Sequence, residues 1–337
     1  MKTKMFVAFA LIVVLLVSCA PKPICPTLQA VTPCPKIECP VLTPEVVEPV
    51  CPKLDCSPRI AVISAFGGEN DLVLAELNET YMKSVIMGKG TVDFHFGTLK
   101  GKDVVVFVTE TSMINAASIT TMALEKLNIS AIVFTGISGG VDPEVNIGDV
   151  VIPEKWIEYQ ENYKCQEVDG KFVCPVWFAP EYPAYGMDQV APASLPGGES
   201  TYWFDVDPTL FAAAEKSLTT ELQSCDANNV CLTKGAKVVV GGAGGSAQSF
   251  VDNANYRDYL FETFGMRVLE MEGAAVAHVA YLYNTPFIVI RANSDLAGGG
   301  DPDDKLPDGG NPIDVFWQIA AQNAAKVTLS IVEQYNP

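Results

Sequence analysis

The chain has 337 residues and carries 40 acidic against 22 basic side chains, a formal charge of −18. That length admits one large α/β domain or two ordinary ones. The acidic surplus argues against nucleic acid, whose affinity rests largely on phosphate neutralisation, and against a polybasic membrane patch. A neutral or cationic small molecule suits such a surface better.

The N-terminus reads as an address. Lys2 and Lys4 precede an apolar run from Met5 to Val17, too short for a typical transmembrane helix and the right length for a signal h-region. It ends in Leu16-Val17-Ser18-Cys19, which resembles the bacterial lipobox. That resemblance implies a signal peptide over residues 1–19, lipidation of Cys19, and a place in the bacterial cell envelope facing the periplasm or exterior. Membrane contact is then expected through the lipid anchor only; an ordinary signal peptide that ends in Cys is the alternative.

Residues 20–57 read as a Pro/Cys-rich linker in which Cys34-Pro-Lys-Ile-Glu-Cys39 is echoed by Cys51-Pro-Lys-Leu-Asp-Cys56. Such composition gives an extended spacer. The spacing is not that of a usual zinc pair and His is absent, so no metal is expected. Ten cysteines fit an exported protein. Cys165 with Cys174, and Cys225 with Cys231, form short-range pairs, each expected to close a surface loop as a disulfide. The five linker cysteines are an odd number, which leaves an intermolecular bond or a free thiol open.

The globular part, residues 58–337, is expected to start in earnest at Arg59. Arg59 to Phe66 reads as a buried parallel strand, Gly67 to Asp71 as a turn, and Leu72 to Leu77 as a helix. Residues 91–109 read as a hairpin turning at Lys100-Gly101-Lys102-Asp103. A helix from Asn115 to Leu127 leads to a strand, Ala131 to Thr135, then to a flexible turn, Gly136-Ile137-Ser138-Gly139-Gly140. Ile147 to Ile152 is another short strand. Residues 160–207, rich in Pro, Gly, Tyr and Trp, read as a long insertion. A helix from Pro208 to Gln223 follows, then a strand from Ala236 to Val240 and the run Gly241 to Gly245. That run looks like a phosphate-cradling loop but lacks the P-loop Lys and a GxGxxG spacing. A helix from Asn255 to Phe264, a strand from Arg267 to Leu269 and a closing helix from Pro312 to Val332 complete the pattern. Strands alternating with helices imply an α/β domain with a mixed, mostly parallel sheet flanked by helices.

Two stretches carry the ionisable residues. Leu269-Glu270-Met271-Glu272-Gly273 opens a helix of small residues, and the strand Phe287 to Ile290 stops at Arg291 and the Ser294-Asp295 pair. In an open α/β sheet ligands bind beyond the carboxyl ends of strands. The plain alternatives are acids favoured at helix N-termini, for Glu69 as for Glu270 and Glu272, and an Asp295 that caps a turn. Arg291 can pair with Glu270 or Glu272, or touch a ligand. His95 and His278 are isolated and read as structural.

Together these residues resemble the purine nucleoside phosphorylase superfamily, and more narrowly its 5'-methylthioadenosine/S-adenosylhomocysteine nucleosidases and their secreted relatives. The resemblance rests on Ile60 to Glu69, Thr135 to Gly140 with Ile147-Gly148-Asp149, Glu270-Met271-Glu272, and Arg291 to Asp295. It implies hydrolysis of the N-glycosidic bond of a purine nucleoside without a cofactor. Asp295, supported by Ser294, resembles the general acid that protonates purine N7, and Glu69 the carboxylate that activates water. Glu272 is implied on the ribose hydroxyls with Met271 against the sugar. Phe250 is implied as a base platform, Val251 as a backbone partner of the purine edge, and Phe66 as a neighbour of the 5'-substituent. Ser138 and Arg291 join the substrate-binding set. Relatives commonly complete the pocket with a second subunit, which implies a homodimer.

Two departures touch the sugar and nucleophile side: Glu110-Thr111-Ser112-Met113 replaces a Gly-rich turn, and Ile137 stands where Ser or Thr is common. A phosphorylase must hold a phosphate dianion, usually with Arg, and this chain has four: Arg59, Arg257, Arg267 and Arg291. Glu110 would repel phosphate, so water is the expected nucleophile. A phosphorylase, or a binding protein without turnover, are the alternatives.

Overall fold

A computed structural model describes residues 53–178, 181–227, 229, 231–299 and 311–336. Residues 1–19, expected to be a signal peptide ending at Cys19, and most of the expected linker lie outside the described residues. The chain enters the sheet at β1 (Asp55–Ser64), four residues before the expected start, and turns into α1 (Gly67–Ala75). Three strands, β2 (Asn78–Met87), β3 (Gly90–Leu99) and β4 (Lys102–Val108), form an antiparallel meander. Next come α2 (Met113–Lys126), β5 (Leu127–Gly140), β6 (Val150–Ile152) and β7 (Lys155–Glu158).

The segment read as an insertion holds short strands: β8 (Asn162–Lys164), β9 (Gln166–Val168), β10 (Lys171–Val173), β11 (Asp188–Val190), β12 (Ala193–Ser194), β13 (Ser200–Thr201) and β14 (Phe204–Asp205). The Cys165–Cys174 disulfide staples the β9–β10 hairpin, and Cys225–Cys231 closes a second loop, as expected. Cys56 is also disulfide-bonded. The remaining elements are α3 (Pro208–Lys216), β15 (Val238–Val240), β16 (Ala243–Ser246), α4 (Ala254–Phe264), β17 (Met266–Glu270), α5 (Gly273–Leu282), β18 (Phe287–Asp295) and α6 (Ile313–Gln334).

The main sheet is mixed. Parallel partners β4 and β5 flank β1, and β18 lies parallel to β5 on the other side. These strands are continuous apolar runs because both faces are covered. Beyond an antiparallel seam between β5 and β17, the order continues through β16 and β7 to β14 at the edge. Helix α5 packs on α2, and α1 on α6. The small side chains of α5 make that packing close: Gly273, Ala274, Ala275, Ala277 and Ala280 are all buried.

Several boundaries differ from expectation, and each for a physical reason. β5 runs straight through Gly136 to Gly140, which is strand and not a flexible turn. A Cβ at Gly136 would lie 2.5 Å from Glu69 Oε1 and 2.6 Å from Arg291 Nη1, so glycine permits a close approach inside the strand. β18 extends to Asp295 instead of stopping at Arg291. Helix α1 begins at Gly67, because Glu69 caps the Phe66 amide. α3 ends at Lys216, where the Ser217 hydroxyl bonds back to the Ala213 carbonyl and a turn follows. Strand β2 was not anticipated. In the Gly241–Gly245 run, Gly241 and Gly242 make a turn at positive φ that leads into β16, where Gly244 makes room for the buried Trp156 ring.

Candidate active site

Four elements converge where β1, β5, β17 and β18 end. Glu69, in the first turn of α1, is 3% exposed. Its Oε2 accepts from the amides of Ala65 (2.7 Å) and Phe66 (3.2 Å), and its Oε1 from that of Ile137 (2.8 Å). The helix-start role and a place on the cavity wall thus coincide in one side chain. Burial pushes the Glu69 carboxyl above its ordinary value, against the pull of the Arg291 charge and three amides.

Across the cavity, Glu272 is the N-cap residue of α5, and its Oε1 accepts from the Ser112 amide at 2.7 Å. Ser112 offers that amide from φ 90°, ψ 146°, a conformation that favours glycine. Here the expected departure from a Gly-rich turn becomes concrete: Glu110 also has a positive φ, of 60°. Burial first and the Glu270 charge second push Glu272 up to about 8, opposed by Arg291 and the Ser112 amide.

Asp295 owes its position to a register shift. Asn293 pairs with Ser138 and Asp295 with Gly139, so Ser294 is an extra residue in β18. Bulges of this kind re-aim side chains beside active sites. The Ser294 hydroxyl donates to Asp295 Oδ2 at 3.0 Å, and the Ala297 amide to Oδ1 at 2.9 Å. Burial outweighs both bonds and pushes Asp295 up to about 6. Such a carboxyl holds a proton far closer to neutrality than an ordinary aspartate and can donate it.

Glu69, Glu272 and Asp295 line one cavity of about 200 Å³ together with Met271, Phe250 and Val251. Phe66, Ser138 and Ser294 line it too. Phe250 is 53% exposed, so it is not a core residue. Arg291 is the exception among the expected residues. It is fully buried and absent from the cavity wall, donating to Glu270 Oε2 from Nη2 at 2.7 Å and from Nε at 3.2 Å. The structure thus places Arg291 against Glu270 beneath the cavity wall, not on it, unlike the expected substrate-binding position.

Glu270, read from the sequence only as a helix-start acid and a possible partner of Arg291, makes the densest set of contacts beneath the cavity. Besides Arg291 it accepts from the amides of Glu272 (3.1 Å) and Gly273 (2.9 Å) and from the Ser246 hydroxyl. It ties β17, α5, β16 and β18 together under Glu272. The paired acids hinted at it, whereas nothing local marked Ser246. Thr111, Ile137 and Ile313 also line the cavity. No Lys or Arg does. Among the described residues, no group of three or more His, Cys, Asp or Glu side chains is arranged to hold a metal ion. His278 is structural as expected, facing Glu158 at 3.2 Å and stacked on Phe204.

A mixed α/β sheet whose strands end at a crevice of buried carboxylates defines a small-molecule site at the switch point of the sheet. Residues 59–333 match the phosphorylase superfamily, and the chain belongs to that superfamily. It is 31% identical to the 5'-methylthioadenosine/S-adenosylhomocysteine nucleosidase of Oceanobacillus iheyensis over 242 residues, 72% of this chain and 86% of that protein. It is 30% identical to the same-named protein of Bacillus cereus (strain G9842), covering 82% of this chain and 99% of the relative. Among solved structures, the Neisseria meningitidis 5'-methylthioadenosine/S-adenosylhomocysteine nucleosidase in complex with methylthio-immucillin-A aligns with a TM-score of 0.59 at 25% identity, covering 82% of this chain and 98% of that one. Futalosine hydrolase of Helicobacter pylori shares the fold, with a TM-score of 0.58 at 21% identity over 82% of this chain and 97% of that one.

Proposed function

We propose that this protein is an N-glycosidase that hydrolyses purine nucleosides of the 5'-methylthioadenosine/S-adenosylhomocysteine type to free base and sugar. The observation that carries the reading is Asp295: a buried carboxyl, raised to about 6 and held by Ser294, on the same cavity as Glu69 and Glu272. Cleaving the N-glycosidic bond leaves negative charge on the purine and positive charge on the sugar. Asp295 protonates the departing base. Glu69, made more basic by burial, takes a proton from the attacking water. Glu272 binds ribose hydroxyls, and its negative charge, when ionised, favours a cationic sugar. Phe250 stacks on the base, Val251 meets its edge, and Met271 packs on the sugar.

Water is read as the nucleophile, which is supported by a cavity wall that carries no cation for a phosphate dianion among the described residues. Identity of 31% to a named nucleosidase supports the same reaction class. We also place the protein in the bacterial envelope, anchored through Cys19 and acting as a homodimer, on the strength of the N-terminal pattern and the family resemblance.

The test is base release by the full-length protein in phosphate-free buffer, offered methylthioadenosine, adenosylhomocysteine, adenosine and inosine in turn. Adenine release from the first two is expected. Saturable adenine binding without release from any of the four would make it a binding protein instead.

A further inference from the structure

Asn293 is a fully buried amide two residues before Asp295, on a strand that is otherwise apolar from Phe287 to Ala292 except for Arg291. An apolar side chain would fill such a place without the cost of desolvating an amide. Every polar group of Asn293 is nonetheless bonded. Its N–H donates to the Asp149 carbonyl at 2.9 Å, and its carbonyl accepts from the Gly148 amide at 2.8 Å. Its Oδ1 accepts from the Ser138 hydroxyl at 3.1 Å, and its Nδ2 donates to the Asn146 carbonyl at 3.1 Å.

Asn293 therefore joins β5 on one side to the Asn146–Asp149 turn on the other. That turn is itself held, because the Asp149 carboxylate accepts from the amides of Asn146 at 2.9 Å and Lys237 at 2.8 Å. A buried network with all its members satisfied fixes one arrangement of the chain. What it fixes here is the bulge at Ser294, which falls between the Asn293–Ser138 and Asp295–Gly139 pairs. The strands close tightly on each other at that point. A Cβ at Gly139 would lie 3.0 Å from Asp295 Oδ1, and one at Gly140 would lie 3.0 Å from Asn293 Nδ2. The acid and the amide thus rest on consecutive glycines of β5.

We propose that Asn293, held by the Ser138 hydroxyl, is a positioning residue for base release: its clamp sets the bulge that aims the Asp295 carboxyl at the leaving purine. The inference rests on the N-glycosidase reading of the cavity. Ser294 bonds the Asp295 carboxyl directly, whereas Asn293 touches neither that carboxyl nor the cavity wall and acts through the backbone ahead of it. Displacing a reacting group by about 1 Å can cost on the order of 10²-fold in rate.

The test is single-turnover and steady-state kinetics of the full-length protein on methylthioadenosine. Asn293→Leu, similar in volume, should lower kcat by about 10². KM and adenine affinity should change little, as for an interaction made only in the transition state. Ser138→Ala tests the clamp even where the leucine variant does not fold; it should lower kcat by up to about tenfold. Ser138→Thr, which keeps the hydroxyl, should recover most of that loss. In an Asp295→Asn background neither Asn293→Leu nor Ser138→Ala should lower kcat further, because no acid remains to be aimed. Losses that multiply in that background would make Asn293 a fold element only and overturn the inference, leaving the nucleosidase standing. Parental kcat in Ser138→Ala, or a loss confined to KM and adenine affinity, would overturn it in the same way. No turnover by the parent protein would overturn the N-glycosidase reading and this inference with it.

Discussion

Asp295→Asn is expected to lower kcat by about 10² to 10⁴, the usual worth of a positioned general acid, while leaving nucleoside binding nearly unchanged. Asparagine keeps the size of the side chain and can still accept from the Ala297 amide, which now bonds Oδ1. It cannot donate an acidic proton to the leaving purine. The pH profile of kcat/KM supplies an independent check. Asp295 must hold its proton, so activity should fall as pH rises through about 6, while Glu69 must lose its proton, so activity should rise through that group's elevated value. In the variant the falling limb should disappear.

The same substitution has a stability consequence of opposite sign. Below the ordinary aspartate value of 3.8 both folded and unfolded chains hold the proton, and burial costs little. Between 3.8 and about 6 the unfolded chain ionises first, so the folded state loses stability as pH rises; above about 6 the penalty is constant. Asp295→Asn removes it, and the variant should be more stable than the parent at pH 8 by about 1 to 3 kcal/mol, measured by urea unfolding. A variant as active as the parent, or less stable at pH 8, would contradict the assignment.

Arg291→Met should be the most damaging change to the fold. The guanidinium is fully buried, paired with Glu270, and stacked 4.0 Å over the Phe134 ring. Without it, Glu69, Glu270 and Glu272 share one interior with no cation among them. Removing one partner of a buried pair typically costs about 3 to 5 kcal/mol, because the other is left uncompensated. Adding Glu270→Gln should recover part of the loss, since it neutralises the orphaned acid. A single-variant loss below about 1 kcal/mol in urea unfolding would mean that the pair does not organise the site.

Much of this site was readable in the residues, and the remainder depended on contacts between distant elements. The Glu270-Met271-Glu272 and Ser294-Asp295 pairs lie next to one another in sequence, and the cavity does gather Glu272, Met271, Ser294 and Asp295. Whether Arg291 paired with Glu270 or with Glu272 was open, because only the meeting of β17 and β18 through β5 decides it. Gly136 read as the start of a flexible turn; its reason is the meeting of Glu69 and Arg291, which lie 67 and 155 residues away along the chain. The Ser112 amide could not have been inferred at all, because a backbone donor leaves no trace in side-chain chemistry. Helix periodicity found α2, α4 and α6 within a few residues. Strand β2 was missed because its residues, many of them exposed, lack the sustained apolar run of β1 or β5.

The most direct measurement of the central claim is a mass spectrum of the sugar product formed from methylthioadenosine in excess phosphate. Hydrolysis predicts free methylthioribose alone, produced at the same rate with or without phosphate. Methylthioribose 1-phosphate, formed only when phosphate is present, would contradict it and show that a cavity without a cation among the described residues binds phosphate after all.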